Sequence, residues 1–418
     1  MGWEIGSIED VIESQLCLGC GICASVENER YSMEDSVTFG RRPYVKEGAP
    51  KETGEAFLLC PGHHLEHTFD LTSAKYQTDL LEGWGPILGV WEGYATDKKV
   101  RFQGSSGGVA TALSHWAINK GGFSGILHTA ASESIPFLNE TIYSTKSKDL
   151  GKAAGSRYAP SSPCEKLNLI TQFPDSSVLI GKPCDIASAS KLSKIDPQIE
   201  AKLGLTIGFF CAGTPSTKGN LDLLEKVGIK HTDKLISVRY RGNGWPGRWV
   251  ASYLEKDGIE KKKALSYSES WGFLQKHRQW RCYICPDHTG EFADIAVGDP
   301  WYRDIEPGEP GKSLIIARTQ RGLDAILAAT ATGYVTLEKR DNSLLPRSQP
   351  NLLKTRGTLW ARLIVLKIFG AAVPDYKGFN LFKYWLSELS FKEKLQSFYG
   401  TIKRVYKKKL RKRISIKD

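Results

Sequence analysis

The spacing of hydrophobic residues changes along the chain, and each change predicts a different kind of structure. Residues 7–15 predict a short helix capped by Ser7, whereas 28–86 are polar and rich in Gly and Pro. From residue 87, strand-like runs alternate with amphipathic helices, which is typical of α/β layers. Later strand-like runs have little helix between them and predict α+β structure, and helical spacing returns after residue 350.

These changes predict a fold class of α/β and α+β structure in several units, since 418 residues exceed what one core usually supports. A small module is expected at the N-terminus, a mixed α/β core follows in two parts, and a helical, basic extension ends the chain. The expected boundaries are 1–84 for the module, 85–170 and 171–345 for the core, and 346–418 for the extension.

The net charge of +11 is concentrated in the last 17 residues, which hold nine Lys or Arg and one Asp. The rest of the chain is therefore nearly neutral, and with no nucleic-acid motif we expect no nucleic-acid partner. The basic tail is consistent with a solvated helix end, a disordered tail, or a strip that contacts anionic lipid or an acidic partner. Weak contact with a membrane surface is slightly favoured among these.

Nothing at the start of the sequence resembles a signal peptide, and the longest apolar stretch, 359–373, contains Arg362 and Lys367. We therefore expect a cytoplasmic protein, with peripheral contact at the inner face of the membrane left open. Thiols stay reduced in that compartment, so clustered cysteines indicate metal binding or catalysis and not disulfides.

Four of the nine cysteines predict a 4Fe-4S cluster. Cys17, Cys20 and Cys23 follow the Cys-x2-Cys-x2-Cys spacing of bacterial ferredoxins, with glycines between them that let the backbone wrap a cluster. Cys60 precedes Pro61, as the remaining ligand does in ferredoxins. The N-terminal unit is thus expected to be a ferredoxin-like iron–sulfur module. The alternative is a zinc knuckle, although zinc sites usually pair two Cys-x2-Cys hooks.

A second cysteine set is a weaker candidate on spacing alone. Cys282 and Cys285 form one hook, while Cys184 and Cys211 each follow a predicted strand. These four thiols suit either a second 4Fe-4S cluster or buried cysteines beside a zinc hook. Cys164 has no evident partner and is expected to be structural. The segment "HHLEH" (63–67) is interpreted as solvated surface and not as a metal site.

The segment "QGSSGGVAT" (103–111) predicts a Gly/Ser loop that opens a helix. Backbone N–H groups at such a position suit an anion, but the segment is neither a Walker loop nor a Gly-x-Gly-x-x-Gly fingerprint. A tight turn explains it equally well.

Several short motifs occur in an order that resembles a known family. They are Cys-x2-Cys-x2-Cys, "SGG-x2-T", "GSRY", "G-x-PC-D", "CAGTPS", "YRGNGWPG" and "C-x2-C-x-D-x3-E-x-ADI-x2-GD-x-W". Together they resemble the family of beta subunits of the coenzyme F420-reducing hydrogenases and formate dehydrogenases, which includes 7-hydroxymethyl chlorophyll a reductase. The resemblance covers roughly residues 10 to 340.

The resemblance implies an iron–sulfur flavoprotein oxidoreductase. Its α/β core would bind FAD, and Cys184, Cys211, Cys282 and Cys285 would hold a second 4Fe-4S cluster beside the flavin. Lys182 and Arg157 are the implied catalytic residues, since a cation near the flavin would stabilise its reduced anionic form. The implied FAD-binding residues are Ser106, Gly107, Gly108, Thr111, Ser156, Arg157, Tyr158 and Lys182.

The resemblance also implies partners and a substrate. Electrons would move between a two-electron carrier, such as coenzyme F420, and one-electron acceptors. The redox partner protein would be a ferredoxin or a dehydrogenase or hydrogenase subunit. The sequence departs from the family at Asp185, where the family has Gln, and in its basic extension.

Two alternative functions remain open from the sequence. One is a ferredoxin-dependent reductase of a small organic substrate, which would use the same cofactors. The other is a zinc-stabilised adaptor that binds nucleic acid or membrane through the basic tail.

Overall fold

A computed structural model describes residues 3–69, 73 and 75–416. Met1 and Gly2 of the N-terminal segment and Lys417 and Asp418 of the basic tail lie outside the described residues. The strands, in chain order, are β1 (Tyr31–Ser36), β2 (Gly40–Val45), β3 (His64–Glu66), β4 (Gly89–Ala95), β5 (Gly125–Ala131), β6 (Asn139–Ser144), β7 (Ser177–Gly181), β8 (Leu203–Phe209), β9 (Leu235–Arg239), β10 (Arg248–Leu254), β11 (Glu260–Ser266), β12 (Ile295–Gly298), β13 (Ser313–Ala317), β14 (Val335–Lys339) and β15 (Asp375–Lys377).

The α-helices lie between these strands and, after residue 343, dominate the chain. They are α1 (Ile8–Glu13), α2 (Ile22–Val26), α3 (Glu55–Leu59), α4 (Thr78–Trp84), α5 (Lys98–Gln103), α6 (Val109–Asn119), α7 (Ser147–Leu150), α8 (Pro183–Ser193), α9 (Pro197–Lys202), α10 (Thr217–Lys226), α11 (Tyr267–Leu274), α12 (Gln320–Ala331), α13 (Leu344–Ser348), α14 (Leu352–Ile368), α15 (Leu381–Glu388) and α16 (Phe391–Lys407). Short 3-10 helices span Gly151–Ala153, Pro163–Gln172, Thr232–Lys234, Gln275–His277 and Trp280–Ile284.

One mixed sheet of eight strands forms the centre of the molecule, with the order β14-β4-β13-β12-β8-β7-β5-β6. The inner strands β5, β7, β8 and β12 run parallel, and antiparallel strands flank them on both sides. The mixed α/β core is therefore confirmed. Strands from both sides of the predicted boundary at 170/171 share this sheet, so the two predicted parts of the core form one structural unit.

Helices cover both faces of the sheet. On one face, α6 and α12 pack against the sheet, and the predicted apolar stripe of α6, from Val109 to Ala117, is buried. On the other face, α8 and the 3-10 helix Pro163–Gln172 pack against β5 and β7. The separate sheet β9-β10-β11 packs against α10 and α11. This arrangement leaves the carboxyl ends of the parallel strands open to a cavity.

The N-terminal module shares its apolar core with the C-terminal helices. Residues of α1 and of the Cys17 loop are buried together with Leu359 of α14 and Val405 of α16. Strand β3 pairs with β15 in parallel, from His64–Asp375 to Glu66–Lys377. The sequence did not indicate this packing. The predicted N-terminal module and the predicted C-terminal extension pack against each other in one apolar core.

Two smaller expectations also change. His63 stacks on Phe57, and His67 lies beside the buried Glu291. The "HHLEH" segment therefore packs against other parts of the chain and is not a solvated surface. The helical spacing after residue 350 predicts that Leu395 shares an apolar face with Phe398, Ile402 and Val405, but Leu395 is exposed. In the part of the chain that the structure describes, no helix combines the length and the hydropathy that crossing a bilayer requires.

Candidate functional site

A cavity of about 700 Å³ opens at the carboxyl ends of the parallel strands. Its floor contains Ile180 and Gly181 of β7, Phe209 of β8, and Val297 and Gly298 of β12. Ligands of open α/β sheets bind outside the carboxyl ends of the strands, and cofactor pockets have volumes of several hundred Å³. Position and size therefore both indicate a cofactor site.

The Gly/Ser loop forms one wall of the cavity at the start of α6. Ser106, Gly108 and Thr111 line the cavity, and Gly108, with φ +72°, receives no capping side chain. The first N–H groups of α6 are therefore free to bind an anion, such as the phosphates of a dinucleotide.

Gly107 faces the sheet and does not line the cavity. A Cβ atom there would lie 2.6 Å from the carbonyl oxygen of Gly93 and 2.8 Å from the Ser313 nitrogen. The Gly107 N–H donates a hydrogen bond of 2.9 Å to Ser313 Oγ. This residue therefore brings the loop close to the sheet, which differs from the predicted contact with the cofactor.

The "GSRY" segment lies on the wall of the cavity, and Ser156, Arg157 and Tyr158 all line it. The Arg157 guanidinium, however, is used by the protein itself. It donates to Asn139 Oδ1 and to the carbonyl oxygens of Val238 (3.0 Å), Pro136 (2.9 Å) and Leu138 (3.0 Å). Burial lowers its pKa from the ordinary value. Arg157 thus fixes the wall, and its expected catalytic role is not supported by these contacts.

Lys182 lies at the end of β7, where it forms a buried ion pair. Its ammonium donates to both carboxylate oxygens of Asp185, each at 2.8 Å, and to the backbone and hydroxyl oxygens of Ser161, each at 3.0 Å. Burial lowers the pKa of Lys182, but the Asp185 carboxylate outweighs it, and the net pKa lies above the ordinary value. A permanent cation compensated by Asp185 therefore faces the cavity.

Several wall residues were not predicted. The buried Arg241 pairs with Asp299, with 2.8 Å between Nη1 and Oδ2, and also donates to the carbonyl oxygen of Ser105. Trp301 stacks on Tyr267, with 5.7 Å between ring centroids. Arg241, Asp299 and Trp301 belong to the motifs "YRGNGWPG" and "GD-x-W", so the sequence carried a signal to which no role had been given. His128 also lines the cavity, and it belongs to none of these motifs.

The four cysteines of the N-terminal set line one small cavity. Cys17, Cys20, Cys23 and Cys60 surround it, and the Gly19 N–H lies 3.4 Å from Cys17 Sγ as a donor. Burial, followed by the neighbouring Cys60 thiol, raises the pKa of Cys20 to about 12, and burial with Cys17 raises that of Cys60 to about 11. Such thiols ionise only against compensating positive charge, which bound iron or zinc supplies.

The second set also assembles, next to the large cavity. Cys211 lines that cavity, and burial, followed by the Cys282 thiol, raises its pKa to about 12. Two backbone N–H groups donate to sulfur, from Gly213 to Cys211 and from Thr214 to Cys282, each at 3.4 Å. Cys184 interacts with Cys211 electrostatically, and Cys285 with Cys282. N–H···S contacts of this kind tune iron–sulfur clusters.

Two direct connections join the two cysteine sets. The Cys164 N–H donates to the Cys20 carbonyl (3.0 Å), and its thiol donates to the Asp185 carbonyl (3.2 Å). The fully buried Arg281 donates to the carbonyl oxygens of Pro61 and Gly62, each at 2.9 Å. Cys164, for which a structural role was predicted, lies between the two cysteine sets.

Within residues 3–69, 73 and 75–416, no group of three or more His, Cys, Asp or Glu side chains is arranged to hold a metal ion. The arguments for the cysteine sets as candidate cluster sites are the small cavity that the N-terminal set lines and the N–H···S contacts in both sets.

Two family models match the chain in succession, and both describe the "Coenzyme F420 hydrogenase/dehydrogenase, beta subunit". Residues 90–168 match the model of its N-terminal part, and residues 175–343 match the model of its C-terminal part. Together they cover more than half of the chain.

Individual relatives are distant. The chain is 22% identical over 298 residues to a subunit of the F(420)H(2) dehydrogenase of Methanosarcina mazei, covering 70% of this chain and 77% of the relative. It is 24% identical to the beta subunit of the F420-dependent formate dehydrogenase of Methanocaldococcus jannaschii, covering 59% and 60%. A chain of the F420-reducing [NiFe] hydrogenase complex from Methanosarcina barkeri superposes with a TM-score of 0.52 at 21% identity, covering 67% of this chain and 94% of that one. That likeness shows the fold.

Proposed function

Because the chain belongs to the family of coenzyme F420 hydrogenase/dehydrogenase beta subunits, we propose that it is an oxidoreductase with FAD in the large cavity. The two cysteine sets each hold a 4Fe-4S cluster in this proposal. Electrons move between a two-electron carrier, such as coenzyme F420, and a one-electron redox partner. The free thiols that such clusters need are maintained in the cytoplasm, which is the proposed location.

The residues around the cavity fit a flavin dinucleotide. The free N–H groups at the start of α6, next to Ser106 and Gly108, suit its phosphates. Lys182 presents a cation to the cavity, and the stacked pair Trp301 and Tyr267 also lines it. A bound flavin would supply the exchange between two-electron and one-electron chemistry. Arg157 holds the wall of the cavity through its four protein acceptors, and we assign it a positioning role.

The residues around the cysteine sets fit iron–sulfur clusters. The N-terminal set consists of buried cysteines, and the second set of one buried and three partly buried cysteines. Backbone N–H groups donate to Cys17 in the first set and to Cys211 and Cys282 in the second, and such contacts help to set cluster potentials. The set with Cys211 borders the flavin cavity, and the N-terminal set lies beyond Cys164 and Arg281. This order supports a linear path from the cavity to the N-terminal set.

The observation that carries the proposal is the position of Cys211. This residue lines the large cavity, and its thiol also interacts with Cys282 and Cys285 of the second cysteine set. The test is the content of iron, acid-labile sulfide, zinc and flavin in anaerobically purified protein. We expect about eight irons and one FAD for each chain. Four irons with FAD would remove one cluster from the proposal. Zinc without flavin would overturn it and favour the zinc-stabilised adaptor.

The substrate needs a separate measurement. Reduction of the bound flavin by reduced coenzyme F420, followed by its absorbance, is expected if that carrier is the substrate. Reduction by a ferredoxin alone, without any response to coenzyme F420, would favour the ferredoxin-dependent reductase of a small organic substrate. Asp185, which stands where the family has Gln, makes this comparison informative because it changes the charge beside the cavity.

A further inference from the structure

The basic end of the chain contacts residues that are adjacent in sequence to both cysteine sets. Gln15 Nε2, two residues before Cys17, donates a hydrogen bond of 2.8 Å to the Lys408 carbonyl. The Arg404 guanidinium and the Lys408 ammonium lie 5.5 and 5.8 Å from the ring of Tyr283, between Cys282 and Cys285. A single turn of chain at the end of α16 therefore contacts the loops that carry both sets.

This end of the chain is held in place. The Ile414 N–H donates to the Glu13 carbonyl (3.1 Å), and the Tyr44 hydroxyl donates to the Ile416 carbonyl (2.6 Å). Val405 and Leu410 are buried in the same core as Cys17, Cys23 and Cys60. The segment is thus a fixed surface of the module and not a solvated tail.

The fixed surface has a strong positive charge. Residues 403–413 contain eight Lys or Arg and no acidic residue. Among the described residues, Arg413 is the member of this run that has carboxylate partners, Asp10 and Glu13. We call the exposed, unpaired members the basic strip: Lys403, Lys407, Lys409, Arg411 and Lys412.

We propose that the basic strip docks an acidic one-electron carrier protein at the outer side of the two cysteine sets. This inference rests on the proposed function, which requires electrons to leave or enter one at a time. A positive patch beside the cluster sites would attract a negatively charged carrier and orient it. One hydride equals two electrons and one proton, so two encounters carry the two electrons and the proton exchanges with water.

The structure favours a protein over a lipid surface at this position. At the end of α16 that carries the basic strip, Val405 and Leu410 are buried and Tyr406 is exposed, whereas the exposed Phe391, Leu395 and Tyr399 lie nearer the start of the helix. What the strip offers to solvent is mainly charge, placed near the cysteine sets. Binding to membranes is the competing outcome of the test.

The test measures binding of a purified, acidic bacterial-type ferredoxin to the full-length protein whose iron and flavin contents are known. The test variant is Lys403→Glu, Lys407→Glu and Lys412→Glu combined. Its matched control is Lys256→Glu, Lys261→Glu and Lys263→Glu, three exposed lysines at and before β11 with the same change of charge. We expect the strip variant to bind at least about tenfold more weakly and the control within about twofold of the original protein.

Salt and vesicles complete the experiment. Affinity for ferredoxin should fall steadily between about 20 and about 300 mM NaCl. Equal losses in the strip and control variants, or no loss in the strip variant, would overturn the docking proposal. So would strip-dependent binding to phosphatidylcholine–phosphatidylglycerol vesicles without any binding to ferredoxin.

Two further measures distinguish a failure of the docking proposal from misfolding of the variant and from a failure of the proposed function. If the Glu variant does not fold, the Gln series at the same three positions replaces it, and an unchanged affinity there overturns the proposal. Protein that contains neither iron nor flavin contradicts the proposed function, whatever the ferredoxin result. Protein that contains both, but binds ferredoxin independently of the strip, overturns the docking proposal alone.

Discussion

The Lys182 ammonium lies 2.8 Å from both carboxylate oxygens of Asp185, and this pair lines the large cavity at the first turn of α8. The Asp185 side chain is fully buried, and its backbone carbonyl accepts the hydrogen bond from the Cys164 thiol. The pair therefore joins the cavity wall to the segment between the two cysteine sets. Two predictions concern this region.

Asp185→Asn should leave a buried ammonium without its counterion. We expect the free energy of unfolding to fall by about 3 kcal/mol, because removing one partner of a buried pair leaves an uncompensated charge. Urea titration of the anaerobic protein measures this. The control is Glu82→Gln, which removes the partner of Lys383 in an exposed pair and should cost less than about 1 kcal/mol. Equal effects of the two substitutions would contradict the importance of the buried pair.

Cysteine substitutions in the two sets should differ in their effects on iron content and on the flavin spectrum. If the proposed cofactors are present, Cys20→Ser is expected to remove about four irons and leave the flavin bound, since that set does not line the large cavity. Cys282→Ser should remove iron and also change the flavin spectrum, since its set includes Cys211 at the cavity.

Cys164→Ser is the matched control for both substitutions. It is a buried cysteine outside both sets, and its hydroxyl can still donate to the Asp185 carbonyl. Its iron content should equal that of the original protein. Loss of four irons from this variant, or full iron in both others, would mean that the ligands are wrongly assigned.

The sequence predicted the core well because the relevant signals are local. The apolar stripe of α6 and the strand runs at β5, β7 and β8 depend on residues a few positions apart, and the structure confirms them. Three cysteines of the N-terminal set follow a short spacing, whereas the second set combines one Cys-x2-Cys hook with two predicted strand ends and was assigned through the resemblance. The assignment of these cysteines as cluster ligands and of Lys182 as a flavin contact stays a prediction.

Other features depend on contacts between distant parts of the chain, and no local pattern reveals them. Gln15 meets Lys408 across 393 positions, so the position of the basic strip near the cysteine sets could not be read from composition. Arg157 lines the cavity, and the acceptors that occupy its guanidinium come from β6, β9 and the loop before β6. Gly107 was assigned to the cofactor through the resemblance, and its close approach to Gly93 arises only in the folded sheet.

Gly107→Ala should weaken flavin binding through the position of the loop. The added methyl group would lie 2.6 Å from the Gly93 carbonyl oxygen, so the loop must move away from the sheet and shift the start of α6. We expect the free energy of unfolding to fall by about 1–3 kcal/mol, together with a lower flavin content.

The control for this substitution is Gly272→Ala in α11, where nothing lies within 4 Å of the added atom. An alanine in that helix should be neutral or should stabilise the protein by up to about 1 kcal/mol, with the flavin content unchanged. A Gly107→Ala protein with full flavin content and full stability would show that the loop tolerates the displacement.

His128 should make stability depend on pH below neutrality. Burial lowers its pKa from 6.5 to about 4, and Nε2 lies 2.9 Å from Ser144 Oγ. The unfolded chain therefore binds a proton between pH 6.5 and 4 that the folded protein does not, so stability is complete above pH 6.5 and falls as the pH falls toward 4. Between pH 7.5 and pH 5 this histidine should lower the free energy of unfolding by about 2 kcal/mol.

Urea titrations should show that His128→Gln loses correspondingly less stability over that range, whereas the exposed His231→Gln follows the original protein. Parallel pH profiles for all three proteins would exclude His128 as the source of the acid sensitivity.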